Sequence, residues 1–316
     1  MAQPSNTYDS YDLIGAREDL SNIIYNISPT DVPFMSNVGR TKATSILHEW
    51  QTDSLASAAS NAVIEGDDSA AEAQVATTRV TNRTQISKKV VLVTGTANAT
   101  VKAGRGKSEL SYLLAKAGKE LKRDMETDLT SENVAVTGDA TTARQLRGFE
   151  SWAATNASRG SGGSDHGSTF VVTDGTQRVF TEAMLKTALQ SCFTNGGDPE
   201  CVMVGPFNKT KVSGFTGIAT LYRDTAGSKG QASIMGAADL YVSDWGELKI
   251  VPNRFQRDRT AMIIEKDKWA VGYLRPFKQE KLAKTGDSDK VHILVEYTLE
   301  ARQQASSGKV ADLTTS

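Results

Sequence analysis

Five residues, Gly104-Arg105-Gly106-Lys107-Ser108, come closest to phosphate chemistry. In a phosphate-binding loop, backbone N–H groups and a lysine cradle the phosphates between an apolar strand and the start of a helix. An apolar run at 90–93 precedes these residues and a helical pattern follows them, so the setting fits. The leading glycine of the pattern would fall at position 101, which is Val101. Half of the motif is missing where the tight turn needs it, and the residues read instead as a basic approach to a helix. Met262-Ile263-Ile264-Glu265 would have to serve as the acid-bearing strand, with no supporting pattern around Glu265. His48-Glu49-Trp50-Gln51-Thr52 begins like a zinc-protease helix but lacks a second histidine one turn on. His48, His166 and His292 show no metal spacing, Cys192 and Cys201 stand nine apart, and there is no Gly-x-Ser-x-Gly elbow. The sequence supports neither catalysis nor a cofactor nor a metal site.

The element that would position that loop is the strongest in the chain. Residues 107–133 place Leu110, Leu113, Leu114, Ala117, Leu121 and Met125 at three- and four-residue steps, one stripe of a long helix. Lys116 with Glu120, and Lys122 with Glu126, are opposite charges four apart on its other faces. Ser108 is the expected N-cap, with Glu109 at the positive end of the dipole. Such a rod, roughly 40 Å long, is a domain's spine.

Bulk properties narrow the classes. A chain of 316 residues holds a large core and two substructures, and 23% charged residues with a net charge of −1 give no basic surface built for nucleic acid. The amino terminus has neither the basic segment nor the apolar core of a signal peptide, and no apolar run of about 18 residues exists to cross a membrane. Two cysteines permit at most one disulfide, which fits a reducing cytoplasm.

Along the chain, residues 1–40 read as an arm. Pro29 and Pro33 hold it extended, and Ile23, Ile24, Ile27, Val32, Phe34 and Met35 are too apolar for a free tail. They are expected to lie on another surface, either of this subunit or of a neighbour, and Ile23, Ile24 and Phe34 are the candidates for contact with a neighbouring subunit. Strands at 42–53 and 79–94 flank a small-residue excursion. Its first limb carries Glu65, Asp67, Asp68 and Glu72; from residue 73 to 108 the charges, starting with Arg79 and Arg83, are all basic. The limbs either neutralise each other in solvent or meet complementary surfaces of a neighbour. Residues 156–168 read as a flexible loop, 181–193 as a second helix, 201–205 as a buried strand and 223–237 as a mobile loop. Strands near 239–244, 247–252, 260–265, 269–274 and 290–300 precede a polar tail from 303. The mixture favours an α+β fold.

That order of parts resembles the major capsid proteins of tailed bacteriophages. The likeness is carried by SPTDVPFMSNVGRTKATSILHEWQTDSL at 28–55, DLYVSDWGELKIVPNRF at 239–255 and YLRPFKQEKLAKTGDSDKVHILVEYTLEARQQA at 273–305. The resemblance implies an HK97-like phage capsid fold. It has an N-terminal arm (1–40), an extended loop (41–95), a peripheral domain (96–180 and 256–305) around the spine helix, an axial domain (181–255) and a C-terminal tail (306–316). It implies a subunit that joins copies of itself in hexamers and pentamers. These close, with scaffolding, portal and decoration proteins, into an icosahedral shell assembled in the host cytoplasm. The shell encloses double-stranded DNA without reading its sequence. No long helical N-terminal region is present to act as a built-in scaffold, and no lysine–asparagine pair for welding subunits is matched. An arm and an excursion that one globule cannot receive point the same way, toward large obligate interfaces of over about 2,000 Å². The competing readings are another virion component, such as a tail tube or decoration protein, and a nucleotide-dependent enzyme built on Gly106-Lys107-Ser108.

Overall fold

The computed structural model describes residues 31–67, 74–100, 108–165, 169–215 and 239–316. Strands and helices alternate irregularly, in the order α1 (Pro33–Asn37), β1 (Gly39–Lys42), β2 (Leu47–Thr52), β3 (Thr78–Arg83), β4 (Gln85–Thr94), α2 (Gly95–Ala99), α3 (Glu109–Thr130), α4 (Phe149–Trp152), β5 (Asn156–Ser158), β6 (Ser164–Asp165), β7 (Val172–Thr173), α5 (Glu182–Thr194), β8 (Cys201–Val204), α6 (Pro206–Ser213), β9 (Leu240–Ser243), β10 (Gly246–Pro252), β11 (Ala261–Ile264), β12 (Trp269–Lys281), β13 (Ser288–Ala301) and β14 (Gly308–Val310). Two larger sheets result, with strand orders β1-β12-β13-β4 and β5-β14-β11-β8-β10-β9.

The spine is α3, 22 residues long and so about 33 Å. Ser108 stands at its N-cap with extended backbone, but its hydroxyl donates to Asn98 Oδ1, 2.8 Å away, instead of capping the helix. The stripe is buried unevenly: Ala117, Leu121, Met125 and Leu129 are fully enclosed, while Leu110, Leu113 and Leu114 are half-buried. The enclosed part lies on Val91 and Val93 of β4 and on Ile293, Val295 and Tyr297 of β13, one face of the four-stranded sheet. Phe149 joins this core against Trp269, with ring centroids 4.6 Å apart. Lys116 pairs with Glu120 at 3.8 Å as the spacing predicts, but Glu126 does not join Lys122 on a polar face; it is buried.

The six-stranded sheet is packed on both faces. Cys201, Met203, Met262 and Ile264 face the spine-helix core. Val202, Val204, Ala261 and Ile263 face α5 through Leu185, Ala188, Leu189 and Cys192. Two-sided burial explains why β8 and β11 are continuous apolar runs without alternation. Helix α5 ends at Thr194 with Asn195 as its C-cap, and Gly196 takes the left-handed φ of +80° that follows it.

Two sequence expectations fail in this region. Residues 303–316 are no polar tail: Gly308–Val310 forms β14 inside the sheet, and Leu313 is buried. Residues 156–165 are no flexible loop, because β5 pairs with β14 and Arg159 grips Asp165 through two 2.7 Å bonds. The sheet around α5 accordingly extends beyond residues 181–255, recruiting 156–158, 261–264 and 308–310. In the loop and the tail, polar sequence is enclosed by pairing Arg159 and Lys309 with Asp165, which no hydrophobic pattern reports. The loop expected at 223–237 lies outside the described residues.

Candidate assembly surface

Strands β2 and β3 pair antiparallel from Leu47 opposite Arg83 to Thr52 opposite Thr78, forming a two-stranded ribbon apart from both large sheets. Its base is fastened to the end of β13. The Trp50 indole N–H donates to Ala301 O at 2.9 Å, Asn82 Nδ2 donates to Leu299 O at 2.7 Å, and His48 meets the Glu300 carboxylate at 2.8 Å. Asn82 also accepts the Arg147 N–H at 2.9 Å, and Trp50 lies 5.6 Å from Trp152, centroid to centroid. The far end is open to solvent. Leu55 is 99% exposed, Val63 75%, Ile64 81% and Val75 85%, so the connection between β2 and β3 leaves its large apolar side chains unburied on its own subunit. Glu65 and Asp67 share that exposed limb. Burial of such side chains is worth roughly 25 cal/mol per Å², so each would gain by leaving water.

A second surface has matching properties. One face of the four-stranded sheet carries α3; the opposite face is formed by Ile86, Lys88, Val90 and Leu92 of β4, all exposed. Register puts Leu294 beside Lys88, His292 beside Val90 and Lys290 beside Leu92, with Lys278 of β12 next to Leu294. This open face is therefore apolar with Lys88 and Lys290 on it, while Lys278 and His292 are engaged by Glu280 at 2.5 and 3.3 Å, and β4 is an edge strand. From Arg275 to Lys281, β12 is exposed on both sides.

The sequence-derived contact residues divide accordingly. Ile23, Ile24, Asp68 and Glu72 lie outside the described residues. Glu65 and Asp67 occupy the exposed limb, Arg79 is exposed and lies 3.8 Å from Glu49 across the ribbon, and Arg83 is partly buried at its base. Phe34 is a correction: it is completely enclosed in its own subunit, edge-on to Phe149 at 5.9 Å, and offers nothing to a neighbour. Its ring is drawn inward because the amides of Phe34 and Met35 bond Glu126 at 2.6 and 3.0 Å. Of the spine stripe, Leu121 and Met125 are core, and Leu110, Leu113 and Leu114 pack at its edge.

The chemically conspicuous groups are structural. A part-buried ionic seam joins segments far apart in sequence, with Glu150, Asp312 and Lys309 enclosed and Arg257, Arg259, Glu132 and Asp174 nearer the surface. Arg257 reaches Glu132, Glu150 at 3.2 Å and Asp174 at 2.6 Å; Arg259 reaches Asp174 at 3.1 Å and Asp312 at 3.2 Å. Lys309 bonds Asp165 at 2.6 Å and the carbonyl of Glu150. Burial pushes the Glu150 carboxyl up to about 7, against the pull of Arg257 and Lys309. Sequence reading missed this seam, since its members are ordinary charged residues until the fold brings them together. Cys192 and Cys201 are free and buried, their thiols pushed up to about 12 and about 11 by desolvation, which withholds the thiolate a nucleophile needs. His48 and His292 are engaged by Glu300 and Glu280. Residues 104–107 and His166 lie outside the described residues; among the described residues no group of three His, Cys, Asp or Glu side chains could hold a metal ion.

Comparison with known proteins agrees with this architecture. Residues 3–314 match the family described as SU10 major capsid protein. A major capsid protein of Escherichia phage Phieco32 is 30% identical over 349 residues, covering 98% of this chain and 97% of that one. Among solved structures, the capsid asymmetric unit of cyanophage A-1(L) superposes with a TM-score of 0.65 at 13% identity, covering 98% of this chain and 99% of the other. The capsid of cyanophage P-SCSP1u gives 0.60 at 11% identity, covering 99% and 100%.

Proposed function

The chain belongs to the SU10 major capsid protein family, a phage major capsid protein by descent, and from that premise we propose how its copies hold one another. Copies join as hexamers and pentamers of a closed icosahedral shell around double-stranded DNA. The connection between β2 and β3 of one subunit lies on the open β4–β13–β12 face of the next. Leu55, Val63, Ile64 and Val75 meet Ile86, Val90, Leu92 and Leu294, while Glu65, Asp67, Asp68 and Glu72 meet Lys88, Lys278 and Lys290. The observation that carries this reading is the near-complete exposure of four large apolar side chains on a ribbon whose base is rigidly fastened. Complementary charge sets the register of such a contact and suppresses wrong ones.

In this reading the spine helix and the four-stranded sheet form the peripheral body. The six-stranded sheet with α5, including 156–158 and 308–310, forms the axial body that gathers around the ring centres. The arm, with Ile23 and Ile24, adds a further contact between copies. Scaffolding, portal and decoration proteins complete the particle, assembled in the host cytoplasm. The wall does not need to bind the genome tightly, because phosphate binding through basic residues falls steeply with salt and a container has only to enclose it.

Deleting residues 58–76 tests the contact. The expected variant is folded and soluble, yet yields no stable shells by sedimentation and negative-stain imaging under conditions where the wild type closes. Normal shells from the deletion variant would refute the role of the loop; open tubes from the wild type would favour a tail component instead.

A further inference from the structure

Glu126 is the only acidic residue of α3 that is buried, and none of the groups bonded to it carries a positive charge. Its Oε1 accepts the Phe34 N–H at 2.6 Å and an Asn253 Nδ2–H at 2.9 Å, and its Oε2 accepts the Met35 N–H at 3.0 Å. The two backbone donors are the first free N–H groups of α1, since Pro33 at its first position has none and Val32 has no side chain able to cap it. A carboxylate on the spine therefore caps a helix 92 residues earlier in the chain. Asn253 is itself fixed: its N–H donates to Val204 O at 2.9 Å, and its Oδ1 accepts the Phe255 N–H at 2.9 Å. Three parts thus meet on one side chain. They are the start of α1, the spine with its four-stranded sheet, and the end of β8 in the six-stranded sheet.

A buried carboxylate is tolerated only when donors saturate it, so losing one partner weakens the hold on the others. Desolvation raises its proton affinity and the three donors lower it, so the charged form depends on all three staying in place. We infer that Glu126 is a positioning residue, a three-way joint that couples the attitude of the chain at residues 32–35 to the placing of the two sheets. This deepens the shell reading and rests on it: a subunit that must fit both five- and six-fold rings gains from a joint that makes residues 32–35 and the two sheets change together.

Hydrogen exchange on the unassembled subunit provides the test. In Glu126→Gln, one oxygen that accepts an N–H becomes an NH2. The amides of Phe34, Met35 and Asn253 should then exchange at least tenfold faster, with those of Val202, Ile263 and the spine around Leu121 unchanged. Asn253→Ala removes a donor that touches neither backbone amide, and it too should speed exchange at Phe34 and Met35. Assembled Glu126→Gln should give particles of mixed diameter where the wild type gives one. Unchanged exchange at Phe34 and Met35 in both variants would overturn the inference, as would uniform acceleration across the core or particles of wild-type uniformity. Failure of the wild type to close would sink the shell reading alone, because the exchange results stand without assembly.

Discussion

Between pH 5 and 8 the carboxyl of Glu150 changes charge at a site where it is 1% exposed. Its ordinary value of 4.5 is pushed up to about 7 by burial, so the folded state binds the proton more tightly than the unfolded chain does. Stability from this group is full below about pH 4.5 and is lost as pH rises through 7, a difference of about 3 kcal/mol. Glu150→Gln is accordingly expected to flatten the pH dependence and to be the more stable form at pH 8, as read by urea unfolding at pH 5 and pH 8. An unchanged slope would assign the titration elsewhere. Residues of this kind are the least legible in a sequence. Glu126 sits four positions after Lys122 and reads as half of a surface pair until α1 arrives to claim its oxygens. Phe34 reads as a contact for a neighbour, because sequence cannot say which surface an apolar arm residue will find.

Elements differ in legibility according to how their polar groups are satisfied. The spine declares itself through a period of three and four, and the continuous apolar runs of β8 and β11 betray burial on two faces. Strand β14 gives no such signal: its Lys309 is fully buried, satisfied by Asp165 and the Glu150 carbonyl, partners more than 140 positions away. Within the spine, burial ranks the stripe in a way that periodicity cannot. Leu121→Ala should cost roughly 2–5 kcal/mol, since it leaves a cavity in a closed core. Leu113→Ala, at the half-buried end, should cost about 1 kcal/mol in area alone. Thermal denaturation of the two variants side by side checks the ranking, and equal losses would mean that the core reaches further along the helix than its exposure indicates.

For the whole molecule, the open sheet face and the exposed ribbon make a prediction that neither makes alone. Replacing Lys88 and Lys290 by Glu leaves the core untouched, because both side chains stand in solvent. The melting temperature of the subunit should therefore hold, while closed particles become scarce by sedimentation at physiological salt. Raising salt should partly rescue them, because screening over about 8–10 Å weakens the new repulsion. A fall in subunit stability instead would mean that the lysines serve the fold. The fastening of the ribbon to Leu299, Glu300 and Ala301 has a mechanical consequence. Those residues end β13, which pairs with β12 from Val291 to Ala301 on one side and with β4 from Ser288 to Tyr297 on the other. A tug on the ribbon directed along β13 loads these ladders in shear, where many bonds must yield at once, rather than unzipping them singly. With the proposed contact between copies, a container strained from within would pull on its subunits where they are hardest to tear.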